Sequence, residues 1–380
     1  MTERDSIAIK ICRILCIFFM TYVHVNPSPS NWEGASKFLW FTGHLAPGEL
    51  RVSVGNEAPQ YLFNIANVLA QVLGRASVPA LSIIGGFLAV AAYQRRSKWL
   101  LYAKERFQTL IIPLITWNVI IIALSLVILI GTGAYTDILN KLMPFDQITL
   151  SKAVGSVTAY KTESVTTALT FLRDIFVCSL LIPLLILAFK RLGIAALAMI
   201  WLMGLTIGFV PIVLRDTIML FYASGVYLAL QSDQLIPTRT VALKLAICIL
   251  LVLAIIQFTP ALSDAYGGEK LTNISVRLVV VPLFLIAAIA LSSTVLGQRL
   301  AKLEPFSYLL FLSHSTIMLV FWGAWQIVFG KGAEWPYVIF YVMAPFASLA
   351  AVIVLHKIIS FMPDMIQRLL VGKKILVKTS

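Results

Sequence analysis

A chain of 380 residues that is 59% apolar, only 12% charged and has a mean hydropathy of +0.91 excludes an ordinary soluble domain, in which about a quarter of residues carry charge. Its formal net charge of +13 would suggest nucleic acid in a soluble protein. In a membrane protein the same excess of Lys and Arg sorts to one side of the bilayer, and no nucleic-acid partner is expected. Cys12, Cys16, Cys178 and Cys248 all fall inside apolar runs, without metal spacing or a loop-to-loop disulfide pattern, and read as small membrane-buried residues.

A spanning helix needs about 20 mostly apolar residues. In chain order the sequence offers ten such stretches: 7–26, 76–94, 109–132, 166–189, 194–213, 214–231, 239–259, 274–296, 306–330 and 336–361. Only a tight turn at Pro211, Arg215 and Asp216 separates the fifth from the sixth. The fold class predicted is therefore all-α: a polytopic membrane helix bundle of about ten transmembrane helices over 1–361, followed by a basic tail over 362–380.

With the N-terminus placed in the cytoplasm, 19 of the 30 Lys and Arg fall inside, ten outside, and Arg173 within the membrane. This positive-inside bias puts both termini in the cytoplasm and the two longest loops, 27–75 and 133–165, outside. The apolar run after Arg4 and Lys10 is interrupted by Arg13 and lacks a small-residue cleavage site before Pro27, so it reads as a retained first helix, not a signal peptide. The tail sets Arg368, Lys373, Lys374 and Lys378 among Met365, Ile366, Leu369, Leu370 and Ile375. It fits an amphipathic helix on the anionic inner leaflet and, equally, a solvated basic tail.

Ionisable residues inside a bilayer are costly, so each one is a functional candidate. On the first helix Arg13 and His24 are eleven residues apart, which at 100° per residue returns to within about 20° of the same face and rises about 16 Å. They share one stripe, Arg13 toward the cytoplasmic mouth and His24 toward the outer end. The plainer readings are an arginine snorkelling to lipid phosphate and an interfacial histidine bonded to a neighbour.

At this pair the sequence resembles the family-3 membrane-bound acyltransferases, which O-acylate bacterial surface polysaccharides, lipopolysaccharide and related glycans from the inner membrane. Arg75–Arg96, RASVPALSIIGGFLAVAAYQRR, is similar to the family's second helix. The stretch from Tyr102, YAKERFQTLIIPLITWN, is similar to the segment in which two arginines three apart precede a proline-containing helix. Here Arg106 is present and Thr109 stands at the second position, with Lys104 a substitute. From Phe171, FLRDIFVCSLLIPLLIL resembles the Leu-Arg-Asp-Leu-Phe helix of the exopolysaccharide-modifying members. From Phe306, FSYLLFLSHSTIMLVF is similar to a late helix carrying a histidine, which gives His314.

The resemblance implies transfer of an acetyl or succinyl group from acyl-coenzyme A to a polysaccharide or lipid-linked oligosaccharide. That chemistry needs a base for the sugar hydroxyl or a nucleophile to carry the acyl group, and His24 can serve as either. Arg13 and Arg106, with Lys104, are the expected ligands for the carrier phosphates at the cytoplasmic face, because guanidinium forks match phosphate oxygens.

Arg173 and Asp174 are adjacent and so point about 100° apart, which excludes a simple one-face pair and requires partners elsewhere. Asp174 is expected to orient His24, and Arg173 to hold the acyl carbonyl or a carboxylate; a structural ion network between helices is the alternative. His314, in the small-residue setting LSHS, either lines the carrier's path or makes a packed helix contact. Gly85 and Gly86 read as close helix packing, since no P-loop lysine follows. His44, Glu33, Glu49 and Glu57 read as loop surface, His356 and Lys357 as an inner helix end, and Tyr222, Ser224 and Gly225 as candidates for a cavity face. No metal site is expected, because the histidines and acids are not spaced as ligands on any one helix. A secondary transporter or flippase is the rival function, disfavoured by the lack of paired half-chain repeats.

Overall fold

The structure is a computed structural model that describes residues 3–25, 68–96, 98–132, 149–210, 212–232, 260–329 and 334–375, with isolated positions between them. The first outer loop with Glu33, His44, Glu49 and Glu57, Cys248 with most of the expected 239–259 span, and Lys378 lie outside the described residues.

Among the described residues the regular secondary structure is all helical, with no strand. The helices are α1 (Glu3–Val25), α2 (Arg75–Gln94), α3 (Trp99–Arg106), α4 (Ile112–Thr132), α5 (Leu150–Thr158), α6 (Thr170–Leu180), α7 (Ile182–Leu192), α8 (Ile194–Thr206), α9 (Asp216–Gln231), α10 (Pro260–Ser292), α11 (Val295–Ala301), α12 (Glu304–Phe329), α13 (Glu334–Ser360) and α14 (Asp364–Val371). Two π-helical turns, Val68–Gly74 and Phe107–Ile111, lead into α2 and α4.

Among the described residues five stretches are long and apolar enough to cross a membrane: Glu3–His24, Val68–Gln94, Trp99–Gly131, Glu304–Trp325 and Ile339–Ser360. The count rises to seven if each of two bent pairs is one span, Thr167–Leu180 with Ile182–Leu192 (54°) and Val276–Ser292 with Val295–Ala301 (111°). With both bent pairs counted, these positions overlap seven of the ten expected stretches; among the described residues the expected 194–213 and 214–231 hold only the shorter helices Ile194–Thr206 and Asp216–Gln231. The first bend has a local cause: Pro183, in the first turn of α7, lacks an N–H, and its ring crowds the carbonyl four residues back.

The chain divides into two compact units. The first comprises Met1–Cys16, Ala76–Phe107 and Phe171–Glu304; the second comprises Ile17–Arg75, Gln108–Thr170 and Pro305–Ser380.

In the first unit α2 and α9 cross backbone to backbone. A Cβ on Gly86 would collide with the Tyr222 carbonyl, and one on Gly225 with the Ile83 carbonyl. This is the close helix packing expected of Gly86, and it places Gly225 in the same crossing. Gly85 is different, with its nearest neighbours at ordinary contact distance, 3.8 Å and beyond. The buried Trp201 of α8 donates from Nε1 to Ser224 Oγ (3.1 Å) and packs edge-on to Phe221, tying α8 to α9. Cys12, Cys16 and Cys178 are buried free thiols in this unit.

In the second unit Tyr22 and Ala70 pack with Met318 and Trp322 of α12 and with Phe340, Tyr341 and Ala344 of α13. The buried Asn118 of α4 donates to the Val157 carbonyl (2.8 Å) and accepts the Thr166 N–H (3.3 Å), fixing α5 and the segment leading to α6. In the tail, Asp364–Val371 form the helix α14. It rests on α4, where Trp117 Nε1 donates to the Leu370 carbonyl (2.9 Å).

Candidate active site

Arg13 lies in the half of α1 that belongs to the first unit. There its guanidinium is ion-paired with Glu304, the opening residue of α12, and both side chains are partly buried. Sequence reasoning missed Glu304. It stands ten residues before His314, just as Arg13 stands eleven before His24, and that parallel on two apolar helices is the signal that could have found it.

Lys104 and Arg106 close α3, immediately before the π-helical turn Phe107–Ile111. Arg106 lies over the ring of Tyr102, 5.0 Å from its centroid, and Tyr102 is buried edge-on to Tyr93. A cation on an aromatic face is held there by the negative potential of the ring. The π-turn inserts an extra residue into the helical repeat, so α4 follows Arg106 out of α-helical phase. Thr109, where the resemblance would place a second arginine, has its carbonyl bonded by the Tyr308 hydroxyl, and its Cα lies 2.6 Å from where a Cβ on Gly372 would sit. That backbone is pinned within the second unit.

Arg173 and Asp174 do pair directly, contrary to the expectation from their angular separation: Arg173 Nη1 donates to Asp174 Oδ1 at 2.8 Å. The flexible stem of Arg173 is long enough to bring its guanidinium back across the 100° step. Both residues also have partners elsewhere, as expected. Arg173 Nη1 donates to the Ile212 carbonyl (2.7 Å), while the carboxylate of Asp174 accepts the N–H of Leu214 (3.0 Å) and of Arg215 (3.2 Å). Asp174 is fully buried, so its charge is met by three N–H donors, all within its own unit. Asp216 captures the Phe209 N–H (2.7 Å) at the other end of the same connection, so the α8–α9 turn is fixed by two carboxylates.

His24 belongs to the second unit, in the last turn of α1, and is half-buried. Its ring faces that of His314, with centroids 4.9 Å apart and planes tilted by 45°. His314 is fully buried, and its Nδ1 lies 2.8 Å from the Phe311 carbonyl and 3.2 Å from that of Leu310. The structure thus brings together His24 and His314, which sequence reasoning had treated separately. Asp174 and His24 fall in different units.

His24 and His314 thus belong to the second unit, and Arg13, Arg106 and Arg173 to the first. The family-3 acyltransferase domain (Acyl_transf_3) matches residues 6–357, almost the whole chain. The chain is 26% identical over 381 residues to the succinoglycan biosynthesis protein ExoH of Rhizobium meliloti (strain 1021), covering 96% of this chain and 92% of that protein. No solved structure matches. With its helices apolar enough to span a membrane and a family match that takes in Arg13, His24, Arg106, Arg173, Asp174 and His314, the chain belongs to the family-3 acyltransferases.

Proposed function

We propose that the protein is a multi-pass enzyme of a bacterial inner membrane that transfers an acetyl or succinyl group from acyl-coenzyme A, bound at the cytoplasmic face, to a hydroxyl of an extracytoplasmic or lipid-linked polysaccharide. The observation that carries the reading is the half-buried His24 backed by His314 on spans of an acyltransferase domain. A polysaccharide acceptor is supported by the similarity to a succinoglycan biosynthesis protein.

In this reading His24 takes the proton of the sugar hydroxyl as its oxygen attacks the thioester carbonyl. The carbon–sulfur bond breaks, and the departing thiolate receives the proton from the imidazolium, giving ester and free thiol. Arg106, Lys104 and Arg13 bind the carrier's phosphates, Arg106 held on Tyr102 and Arg13 exchanging Glu304 for phosphate. Arg173, held by Asp174, meets the developing oxyanion or a carboxylate on the acyl group.

The test compares ester-linked acyl groups on surface polysaccharide from cells with the intact gene, a deletion and His24→Ala, by proton NMR before and after mild base. One ester signal lost in both mutants supports the reading and names the acyl group. Esters that survive His24→Ala remove His24 from the chemistry. Polysaccharide missing altogether from the surface of the deletion strain would turn the assignment to transport.

A further inference from the structure

The tail helix α14 is held along one face and bare on the other. The buried Gln367 stitches it to the end of α13 and to the chain beyond: its Nε2 donates to the Met362 carbonyl (2.8 Å) and more weakly to that of Ser360 (3.3 Å), and its Oε1 accepts the Ile375 N–H (2.7 Å). At the far end of the helix Trp117 of α4 bonds the Leu370 carbonyl, Val371 is buried, and Gly372 lies against Gln108 and Thr109. All of these contacts fall within the second unit. α14 thus runs from the end of one apolar span, Ile339–Ser360, to the π-turn and opening turns of another, α4. A helix that bridges two span ends in this way lies across the mouth of the spans, at the level of the lipid headgroups.

At 100° per residue Met365 and Leu369 stand about 160° and 200° around α14 from Gln367, opposite the held face. They are 71% and 38% exposed, and Phe361, four residues before Met365, is 78% exposed. Arg368, Lys373, Lys374 and, at the end of α13, Lys357 are exposed around this row. Asp364 is the only acid from 357 to 375, and it is ion-paired with Lys374 (3.0 Å). A solvated basic tail turns its apolar residues inward, whereas here the outward row is apolar and its rim cationic. An in-plane helix at a membrane surface buries such a row among the upper acyl chains while its Lys and Arg meet anionic headgroups.

We propose that α14 is a membrane-surface helix for anionic phospholipid, in which Phe361, Met365 and Leu369 enter the acyl-chain region and Arg368, Lys373 and Lys357 attract the headgroup charge. Phosphatidylglycerol, with its net negative headgroup, fits this surface; phosphatidylcholine brings a cation of its own to the same place. The surface is independent of the acyl-transfer reading.

Two measurements on the full-length protein test it. In vesicles, Met365→Cys is labelled with a polarity-sensitive fluorophore, and the unsubstituted protein, whose Cys12, Cys16 and Cys178 are buried, is labelled in parallel as background. The added emission is expected to be blue-shifted and quenched by lipids brominated on their acyl chains. Unquenched emission, at the wavelength seen in water, overturns the proposal in favour of a solvated tail.

In detergent, melting temperature is read with added phosphatidylglycerol or phosphatidylcholine. The anionic lipid is expected to raise it by about 2 °C or more beyond the zwitterionic one, and Arg368→Gln combined with Lys373→Gln to remove at least about half of that excess. A merely structural effect of the substitutions lowers both values alike and leaves the excess intact. Equal melting temperatures in the two lipids overturn the proposal, and so does an excess untouched by the Gln pair, which would put the lipid elsewhere on the spans. If the Gln pair does not fold, the single variants decide: a smaller excess in either supports the surface, and a full excess in both ends it.

Discussion

The guanidinium of Arg13 is ion-paired with Glu304 in the first unit, with 33% and 19% of the two side chains exposed. Under the proposed function a carrier phosphate would compete with the Glu304 carboxylate for the same N–H groups, so the pair would hold Arg13 in place and also oppose donor binding. Arg13→Ala is expected to raise donor KM about three- to tenfold with little change in kcat, the mark of an interaction made equally in ground and transition states. Glu304→Gln, which removes the competitor, is expected to lower donor KM. Initial rates against donor concentration check both. If the two variants shift KM in the same direction, the pair is a structural brace and Arg13 is not a phosphate ligand.

How much of this arrangement was legible in the sequence differs from residue to residue. Arg13 and His24 could be placed on one stripe because helical phase is fixed within an unbroken helix, and α1 is unbroken. The close packing of Gly86 could be read because small residues in an apolar span have few other uses. The facing of His24 and His314 could not, because 290 residues separate them and periodicity carries no information about which helices meet. The Arg173–Asp174 pair was excluded by an argument from Cα directions that ignored the reach of arginine. The π-turn after Arg106 has no signature in composition at all, and it undoes any phase counted from Arg106 into α4.

Gly85 and Gly86 provide a matched pair for the α2–α9 crossing. A Cβ at 86 would run into the Tyr222 carbonyl, which cannot move without shifting α9, whereas at 85 the nearest atoms are side-chain carbons at 3.8–3.9 Å. Gly86→Ala is therefore expected to cost about 1–3 kcal/mol, the usual penalty for overpacking, and Gly85→Ala much less. The melting temperature of detergent-solubilised protein reads the difference. Equal stability of the two variants would mean that the helices do not cross as described.

Asp174 joins α6 to the α8–α9 connection through Arg173, Leu214 and Arg215. Asp174→Ala leaves a guanidinium and two backbone N–H groups without that acceptor. Breaking a buried pair of this kind costs about 3–5 kcal/mol. Asp174→Asn keeps an acceptor oxygen and is expected to lose less stability. It should nevertheless lose transfer activity about tenfold or more if the carboxylate's charge is what holds Arg173 for the reaction. Melting temperature and transfer rate measured on the same preparations separate the effects. Stability and activity falling in strict proportion in both variants would assign the cluster to the fold alone.

The C-terminal helix is joined to the turn that follows Arg106. Gly372 caps α14 with φ +70°, its N–H donating to the Arg368 carbonyl (2.9 Å), and it lies against the backbone of Gln108 and Thr109 within the second unit. The Tyr308 hydroxyl bonds the carbonyl of that same Thr109. Gly372→Ala combines an unfavourable left-handed φ with a Cβ 2.6 Å from Thr109 Cα, so the helix must lift from the π-turn or the turn must move. Because Arg106 is three residues earlier in the chain, a moved turn is expected to raise donor KM about threefold at nearly constant kcat. Trp117→Phe, which removes only the bond to the Leu370 carbonyl, should lower stability by about 1 kcal/mol and leave donor KM alone. Should Gly372→Ala lower the melting temperature without touching donor KM, α14 would be a brace for α4 alone, and the position of Arg106 would not depend on the pinned turn.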